Sequence, residues 1–257
     1  MRKGDEPETA FHTRYREYEY KVVPFGLVNT PATFQTMMNK ILTEFLNHGI
    51  VLHLDDILIY SENMEEHIRL VQQVLDRLEE YNLAVSLTMS VFHQEQVEFV
   101  GYIVKTSGVT MDDRKVKSVQ NWAHPRCAKE VQILIEFPNF YRRFIKDFSR
   151  VCKPITETLK GKPKEFHRGR EQKEACQELK RWFITAPILS HFYLGRKAGV
   201  ETDASDFALR CVLSQYQGRQ HHHVAFHSWK PNSVERNYEM QDTELLAIME
   251  LFSECRR

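Results

Sequence analysis

The spacing of apolar residues predicts two amphipathic helices in the first third of the chain. Residues 32–47 carry apolar side chains every three or four positions, with Thr30 as a candidate N-cap and Pro31 at the first helical position. Residues 63–82 repeat this spacing, with polar side chains on the opposite face. Both segments are therefore expected to bury one face.

Shorter segments predict strands around these helices. Residues 11–20 alternate aromatic and charged side chains, as a hairpin with one solvated face does. Residues 50–61, IVLHLDDILIYS, predict a strand–turn–strand unit, and 83–87 and 97–104 each predict one strand. Gly101 indicates a bulge or a close backbone approach in the last of these. Helices mixed with antiparallel strands indicate an α+β fold.

After position 108 the pattern is first mainly helical and then changes to strands. The predicted helices cover 113–122, 129–148 with a continuation at 154–159, and 171–184. The segment KGKPKEFHRGR at 160–170 predicts a basic linker. The final part predicts three strands and a helix, at 199–202, 208–215, 223–228 and from about 233 onwards.

Composition and charge narrow the class of protein. Hydrophobic residues make up 42% of the chain and charged residues 27%, which is typical of a globular protein. Lys+Arg and Asp+Glu both number 35, so any basic surface must be local. The five cysteines form no CxxC motif and are expected to be reduced. The sequence shows neither a long apolar stretch nor an apolar leader, so we expect an intracellular protein, cytoplasmic or nuclear, without a membrane span.

The adjacent acids Asp55 and Asp56 are the strongest candidates for chemistry. Two ionised carboxylates between apolar flanks are costly unless a cation neutralises them. Mg²⁺ suits such a pair, because it prefers oxygen ligands and bridges carboxylates to phosphates. The alternative is an ordinary surface turn, in which Asp is common.

Two further segments have both a functional and a structural interpretation. In NFYRRFI, at 139–145, the mix of cations and aromatics suits phosphate contact and base stacking. An amphipathic helix with buried aromatics explains the same pattern. The three histidines at 221–223 have the composition of a metal-binding tract, while a hairpin turn leading into the third strand explains them as well.

The order of the motifs indicates a family. PFGLVNTPATFQ, LHLDD, FVGY, NFYRRFI, TDASDFAL, AFHSWK and an NYE segment follow one another along the chain. This order resembles the reverse transcriptase and the start of the ribonuclease H domain in the pol polyprotein of gypsy (Ty3)-class LTR retrotransposons. The resemblance covers nearly the whole chain and implies an RNA-directed DNA polymerase, a nucleotidyltransferase, with an attached ribonuclease H endonuclease.

The resemblance implies three regions within the α+β fold. Residues 1–104 would form part of the fingers and palm of the reverse transcriptase. Residues 105–165 would form a helical region like the thumb or connection. Residues 166–257 would form a leading helix and the N-terminal half of a ribonuclease H-like α/β domain.

Four carboxylates are catalytic and metal-ligand candidates by this resemblance. Asp55, with Asp56 in a supporting role, matches the polymerase palm, where two cations stabilise the attacking 3′-oxygen and the leaving pyrophosphate. Asp203 and Glu244 match the first strand and first helix of ribonuclease H, where a metal pair activates water against the RNA strand. The implied cofactor is Mg²⁺ or Mn²⁺.

The same resemblance assigns three groups of residues to nucleic acid. They are the nucleotide-binding Phe25, Gly26 and Gln35, a primer grip of Phe99, Gly101 and Tyr102, and the nucleic-acid-binding Arg142, Arg143 and Lys146. The implied partners are an RNA template, a DNA primer, the RNA–DNA hybrid and the rest of the pol polyprotein.

Several positions depart from the family's pattern. His53 stands where Tyr or Phe is usual, Pro7 replaces a Trp, Arg16 and Arg210 replace glycines, and Pro138 falls inside a predicted helix. The family's upstream palm Asp strand and its later ribonuclease H carboxylates have no match in this sequence. We therefore expect two truncated sites that are inactive alone. The alternative is a non-catalytic nucleic-acid-binding or protein-interaction remnant.

Overall fold

The computed structural model describes residues 3–159, 169–205, 208–218 and 220–255. The chain divides into two compact units, Met1–Gln94 and Glu95–Arg257. Nearly all of the predicted basic linker at 160–170 lies outside the described residues. Antiparallel sheets and helices are mixed in the second unit, as the α+β prediction requires, and the first unit combines helices with hairpins.

The first unit packs two helices and a hairpin around a small core. Its elements are β1 (Phe11–His12), β2 (Glu17–Tyr18), α1 (Thr30–Ile41), β3 (Ile50–His53), β4 (Asp56–Ile59) and α2 (Met64–Glu80), preceded by a 3₁₀ turn at Glu6–Thr9. The pairs β1–β2 and β3–β4 are antiparallel. The apolar faces of α1, α2 and the β3–β4 hairpin meet in a cluster formed by Met38, Ile41, Leu42, Ile50, Val74 and Leu78.

Three predictions for the first unit are wrong in detail. Thr30 is the first residue of α1 rather than its N-cap, and its hydroxyl donates to the Pro24 carbonyl at 3.1 Å. The helix ends at Ile41 instead of position 47. The strand expected at 83–87 is absent from the described structure, because the chain turns there: the Met89 amide donates to the Ser86 carbonyl at 3.2 Å.

The second unit combines two three-stranded antiparallel sheets with five helices among its described residues. Its first sheet and helices are β5 (Gln96–Phe99), β6 (Tyr102–Lys105), β7 (Gly108–Met111), α3 (Asp113–Gln120), α4 (Ala128–Phe140), α5 (Phe148–Glu157) and α6 (Arg170–Ile184). The remaining elements are β8 (Ala198–Ser205), β9 (Ala208–Gln217), β10 (Gln220–Trp229) and α7 (Met240–Cys255), with β9 central in the second sheet.

A large core joins the helices of this unit to its second sheet. Phe144 and Phe183, both buried, share one apolar cluster with Val212 of β9 and Phe226 of β10. The final helix α7 packs against β8 and β9 and buries Leu251. No helix in the described ranges is long and apolar enough to cross a membrane.

The strand predicted at 97–104 is in fact a hairpin. Val100 and Gly101 have φ of 48° and 76°, and Phe99 pairs with Tyr102 across them. A two-residue turn with positive φ at both positions matches the twist of the flanking strands, and Gly tolerates it without strain. Gly101 thus marks a turn rather than a bulge, and the following strand β7 was not predicted.

Two predicted helices have other bounds. The helix expected at 129–148 ends at Phe140, and a 3₁₀ turn at Arg142–Phe144 separates α4 from α5. Asp147, with a left-handed φ of 58°, precedes α5. The last helix begins at Met240 rather than near 233, after a 3₁₀ turn at Glu235–Asn237.

Candidate active-site carboxylates

The hairpin β3–β4 carries the first acidic pair at its tip. His53 pairs with Asp56, so Leu54 and Asp55 form a two-residue turn, and Leu54 has a φ of 53°. A positive φ at the first turn residue suits such a tight connection. The Leu54 amide donates to Gln35 Oε1 of α1 at 2.5 Å, which ties the tip to the helix. Gln35, predicted to contact a nucleotide, therefore positions the hairpin.

Both carboxylates of this hairpin face solvent. Ile50, at the base of the hairpin, is 1% exposed, whereas Asp55 and Asp56 are exposed. Among the described residues of the first unit, neither acid forms an ion pair or a side-chain hydrogen bond. Their oxygens are thus available to an incoming cation. His53 also points to the exposed side of β3.

The loop before α1 is open to solvent. Phe25 is 102% exposed, and Gly26 has a φ of 106° with nothing within 4 Å of where a Cβ would stand. A side chain at position 26 would be strained by the backbone rather than by crowding. Phe25 and Gly26, two of the three residues predicted to bind a nucleotide, therefore present an accessible ring and an accessible backbone.

The β5–β6 turn is fixed to the segment at 139–145. The Tyr141 hydroxyl donates to the Gly101 carbonyl at 3.0 Å, and the Tyr102 hydroxyl donates to the Phe140 carbonyl at 3.0 Å. The rings of Tyr102 and Phe140 stack, with centroids 5.1 Å apart and an interplanar angle of 11°. Burial raises the pKa of Tyr141 to about 12 and also raises the pKa of Tyr102. Phe99, the third predicted grip residue, ends β5 in the same hairpin.

Each interpretation of NFYRRFI fits part of the segment. Tyr141 and Phe144 are buried, as the structural interpretation requires, but Phe140 is 47% exposed and the segment is not one continuous helix. Arg143 and Lys146 are exposed and available to phosphate. Arg142 instead lies 5.9 Å from the Phe148 ring centroid and donates through Nη2 to the Ser228 carbonyl of β10.

In the second sheet, Asp203 is held by an arginine. Asp203 of β8 and Arg210 of β9 are directly opposite each other, and Arg210 Nη2 donates to Asp203 Oδ2. Arg210 Nη1 donates to both carboxylate oxygens of Asp147, at 3.0 and 2.9 Å. Its hydrogen bond with Asp147 is the main reason that the pKa of Arg210 is raised above its ordinary value. Sequence reasoning missed Asp147, because nothing in its own sequence context indicates a contact with a residue 63 positions away.

The histidine run lies within a strand. Residues 221–223 belong to β10, after the turn that contains Gly218, so the hairpin-turn interpretation is wrong in placement. His223 Nδ1 is 3.0 Å from Ser214 Oγ, and the His221 ring centroid is 4.0 Å from that of Tyr216. The described residues contain no group of three or more His, Cys, Asp or Glu that could hold a metal ion.

Comparison with known proteins places these features in a family. The profile "Reverse transcriptase (RNA-dependent DNA polymerase)" matches residues 1–104, and "RNase H-like domain found in reverse transcriptase" matches residues 169–257. The Transposon Tf2-3 polyprotein of Schizosaccharomyces pombe is 35% identical over all 257 residues. The chain belongs to the reverse transcriptase and RNase H-like region of LTR-retrotransposon polyproteins.

The region is a short part of its curated relatives. The match covers 100% of this chain but only 19% of the Tf2-3 polyprotein. The Tf2-7 polyprotein of the same organism is 34% identical, with the same coverage of both chains. These matches confirm the resemblance inferred from the motif order.

Solved structures agree with this fold. The foamy viral protease-reverse transcriptase in complex with double-stranded DNA has a TM-score of 0.80 and 22% identity, covering 96% of this chain and 43% of that one. The same viral protein in complex with an RNA/DNA hybrid has a TM-score of 0.79 and 23% identity, covering 96% and 33%.

The two groups of predicted metal ligands in this chain differ in whether they could bind a divalent metal ion. Asp55 and Asp56 fit one, since they are exposed oxygen donors with no competing ion pair among the described residues of their unit. Asp203 does not fit, because the Arg210 guanidinium already contacts its carboxylate. Glu244 is exposed on α7, which packs beside β8.

Proposed function

We propose that, within its polyprotein, this region supplies the metal-binding hairpin of an RNA-directed DNA polymerase. The observation that carries the proposal is the exposed acid pair on a hairpin tip that Gln35 ties to α1. Asp55 would hold Mg²⁺ or Mn²⁺, and Asp56 would support it. When bound, the cation supplies charge stabilisation for the attacking 3′-oxygen and the leaving pyrophosphate. The chain's own contribution is to hold the backbone of the hairpin tip in place, through the hydrogen bond from the Leu54 amide to Gln35, before the cation arrives.

The proposed ligands are an RNA template and a DNA primer, bound in the cytoplasm or nucleus. Phe25 offers an exposed ring for stacking, and the open backbone at Gly26 allows close approach. Arg143 and Lys146 offer exposed cations for phosphate. The foamy viral neighbours in complex with double-stranded DNA and RNA/DNA hybrid support this choice of ligands. The anchored β5–β6 turn, with Gly101 and Tyr102, suits a primer grip.

A primer-extension assay on the full polyprotein tests the polymerase proposal. With an RNA template and Mg²⁺, Asp55→Ala is expected to lower the rate by about 100-fold or more, because a metal ligand is lost. Asp56→Ala is expected to have a smaller effect. Glu62→Ala, which removes an exposed acid shortly after β4, is the matched control. An Asp55→Ala polyprotein that extends primers at the parent rate contradicts the proposal.

A second candidate function is nucleic-acid binding without catalysis by the 257-residue chain. The observation that favours it is the engagement of Asp203 by Arg210, together with the exposure of Arg143 and Lys146 in the same unit. The chain should then bind RNA–DNA hybrid with a salt-dependent affinity, and Arg143→Ala should reduce the salt slope by about one. Cleavage of the hybrid, or primer extension by the chain alone, would contradict this candidate.

A further inference from the structure

Arg210 is the centre of a three-residue bridge in the second unit. Its Nη1 lies 3.0 and 2.9 Å from the two oxygens of Asp147, and its Nη2 contacts Asp203 Oδ2. One guanidinium therefore serves two carboxylates, from the turn before α5 and from β8. A planar guanidinium with five donors suits this geometry better than an ammonium would.

The bridge lies at an interface that other contacts also build. The Ser149 amide donates to Ser228 Oγ at 3.0 Å, and the Ser149 hydroxyl donates to the Ser228 carbonyl at 2.8 Å. Arg142 donates to that same carbonyl. The start of α5 is thus attached to β10 by hydrogen bonds and to β8–β9 by Arg210.

The two acids differ in their access to solvent. The Asp147 side chain is 11% exposed and the Asp203 side chain 54% exposed. The carboxylate of Asp147 is nearly buried and would be costly to leave without a cation. Arg210 is its closer partner, since Arg210 Nη1 lies 2.9 Å from Asp147 Oδ2 and Arg150 Nη2 lies 3.7 Å from the same oxygen. Arg210 is therefore held mainly by Asp147, and its remaining donor reaches Asp203.

We infer that Arg210 takes the place of a metal ion at Asp203, so that the acid expected to be catalytic serves as a structural anchor between β8 and the start of α5. A divalent cation at Asp203 would have to displace a charged donor and would then lie beside a positive guanidinium. Because Asp147 also holds that guanidinium, a cation could not easily displace Arg210 from Asp203. This inference does not depend on polymerase activity at the hairpin.

Mn²⁺ binding to the whole chain, followed by electron paramagnetic resonance of the free ion, tests the inference. All variants carry Asp55→Asn and Asp56→Asn, so that the hairpin does not contribute. The background protein is expected to show no saturable site that depends on Asp203. Arg210→Gln removes the charge and leaves a shorter side chain with one amide NH₂ donor, and is expected to create an Asp203-dependent Mn²⁺ site at least about tenfold tighter than any binding by the background protein. Arg210→Lys keeps the charge and is the matched control.

The site of any new binding is checked by adding Asp203→Asn to Arg210→Gln, which should abolish it. The inference is overturned if the background protein already binds Mn²⁺ through Asp203, or if Arg210→Gln binds no more tightly than the background. Urea unfolding provides a second readout: the losses caused by Arg210→Gln and Asp147→Asn should be less than additive, since they break one bridge. Additive losses would also contradict it.

Discussion

The hairpin β3–β4 and the strand pair β8–β9 both carry an aspartate that the sequence predicts to be catalytic, but the surroundings of the two aspartates are opposite. At the hairpin, Asp55 and Asp56 are exposed and unpaired within the described part of their unit. At the strand pair, Asp203 faces Arg210, which is itself anchored by Asp147. An aspartate is therefore free to bind a cation at the hairpin, whereas at the strand pair an aspartate is already bound to the cationic side chain of Arg210.

This difference shows why a motif match alone does not assign a metal site. The TDASDFAL motif identifies Asp203 equally well whether or not its carboxylate is available. The availability of this carboxylate depends on Arg210, seven residues later, and on Asp147, which contacts Arg210 across 63 positions of sequence. Substitutions in the two regions are therefore expected to change the free energy of unfolding by different amounts and even in opposite directions.

The largest expected effect on stability comes from truncating a side chain in the core of the second unit, which contains the Arg210 bridge. Phe144 is 1% exposed, and Phe144→Ala should lower the free energy of unfolding of the second unit by about 3–5 kcal/mol, because it leaves a cavity. Phe140, 47% exposed in the same segment, is the matched control, and Phe140→Ala should cost about 1 kcal/mol. Urea unfolding measures both.

Hydrogen exchange at the Leu54 amide reports on the hairpin in the same samples. Its protection should be unchanged in Phe144→Ala when measured below the unfolding transition, because Leu54 bonds to Gln35 in the first unit. Equal losses for the two phenylalanine variants would show that the buried and exposed parts of NFYRRFI do not differ as described.

Much of the fold could be predicted from periodicity, and the failures have physical causes. The LDD hairpin and the helix at 64–80 follow from local pattern, and both are confirmed. The β5–β6 turn was missed because Val100 is an unusual residue at positive φ, where Asn or Gly is the usual signal. The Asp147–Arg210 contact joins residues distant in sequence, so no periodicity indicates it.

A second arginine between two acids offers a purely structural comparison with Arg210. Arg114 contacts both Asp112 and Glu98, and Asp112 accepts from the Arg114 amide at 2.8 Å as the N-cap of α3. The hydrogen bond from Arg114 holds the pKa of Asp112 below its usual range. A lowered pKa means stabilisation that is present above the unfolded-state pKa of about 3.9 and is lost as pH falls through the lower folded value.

Asp112→Asn should therefore reduce stability by about 1 kcal/mol at neutral pH and by less in acid. Unfolding in urea between about pH 7 and pH 3 measures the difference between variant and parent. Asp113→Asn, at the next position and outside this bridge, is the control. A difference that grows as pH falls would have the wrong sign and would contradict the assignment.

A smaller effect is expected from releasing the hairpin tip. Gln35→Ala removes the acceptor of the Leu54 amide and should destabilise the first unit by about 1 kcal/mol. Faster hydrogen exchange at Leu54 is the specific readout. Gln72→Ala, which removes an exposed hydrogen bond to Asp76 within α2, should leave that exchange rate unchanged. If Leu54 exchanges equally in both, Gln35 does not position the hairpin.

The smallest expected effect on stability is that of the acid pair itself. Asp55→Asn with Asp56→Asn should change the free energy of unfolding by less than about 0.5 kcal/mol, measured in urea with a chelator present. Any change should be stabilising, since two adjacent negative charges repel each other. Asp203→Asn, which removes an acceptor of Arg210, should cost more than this double change.

If the hairpin variant loses more than about 1 kcal/mol, its acids are structural like Asp203, and the contrast between the two regions fails. If it loses nothing, the fold does not require two carboxylates at the tip, and their presence is explained by what they bind.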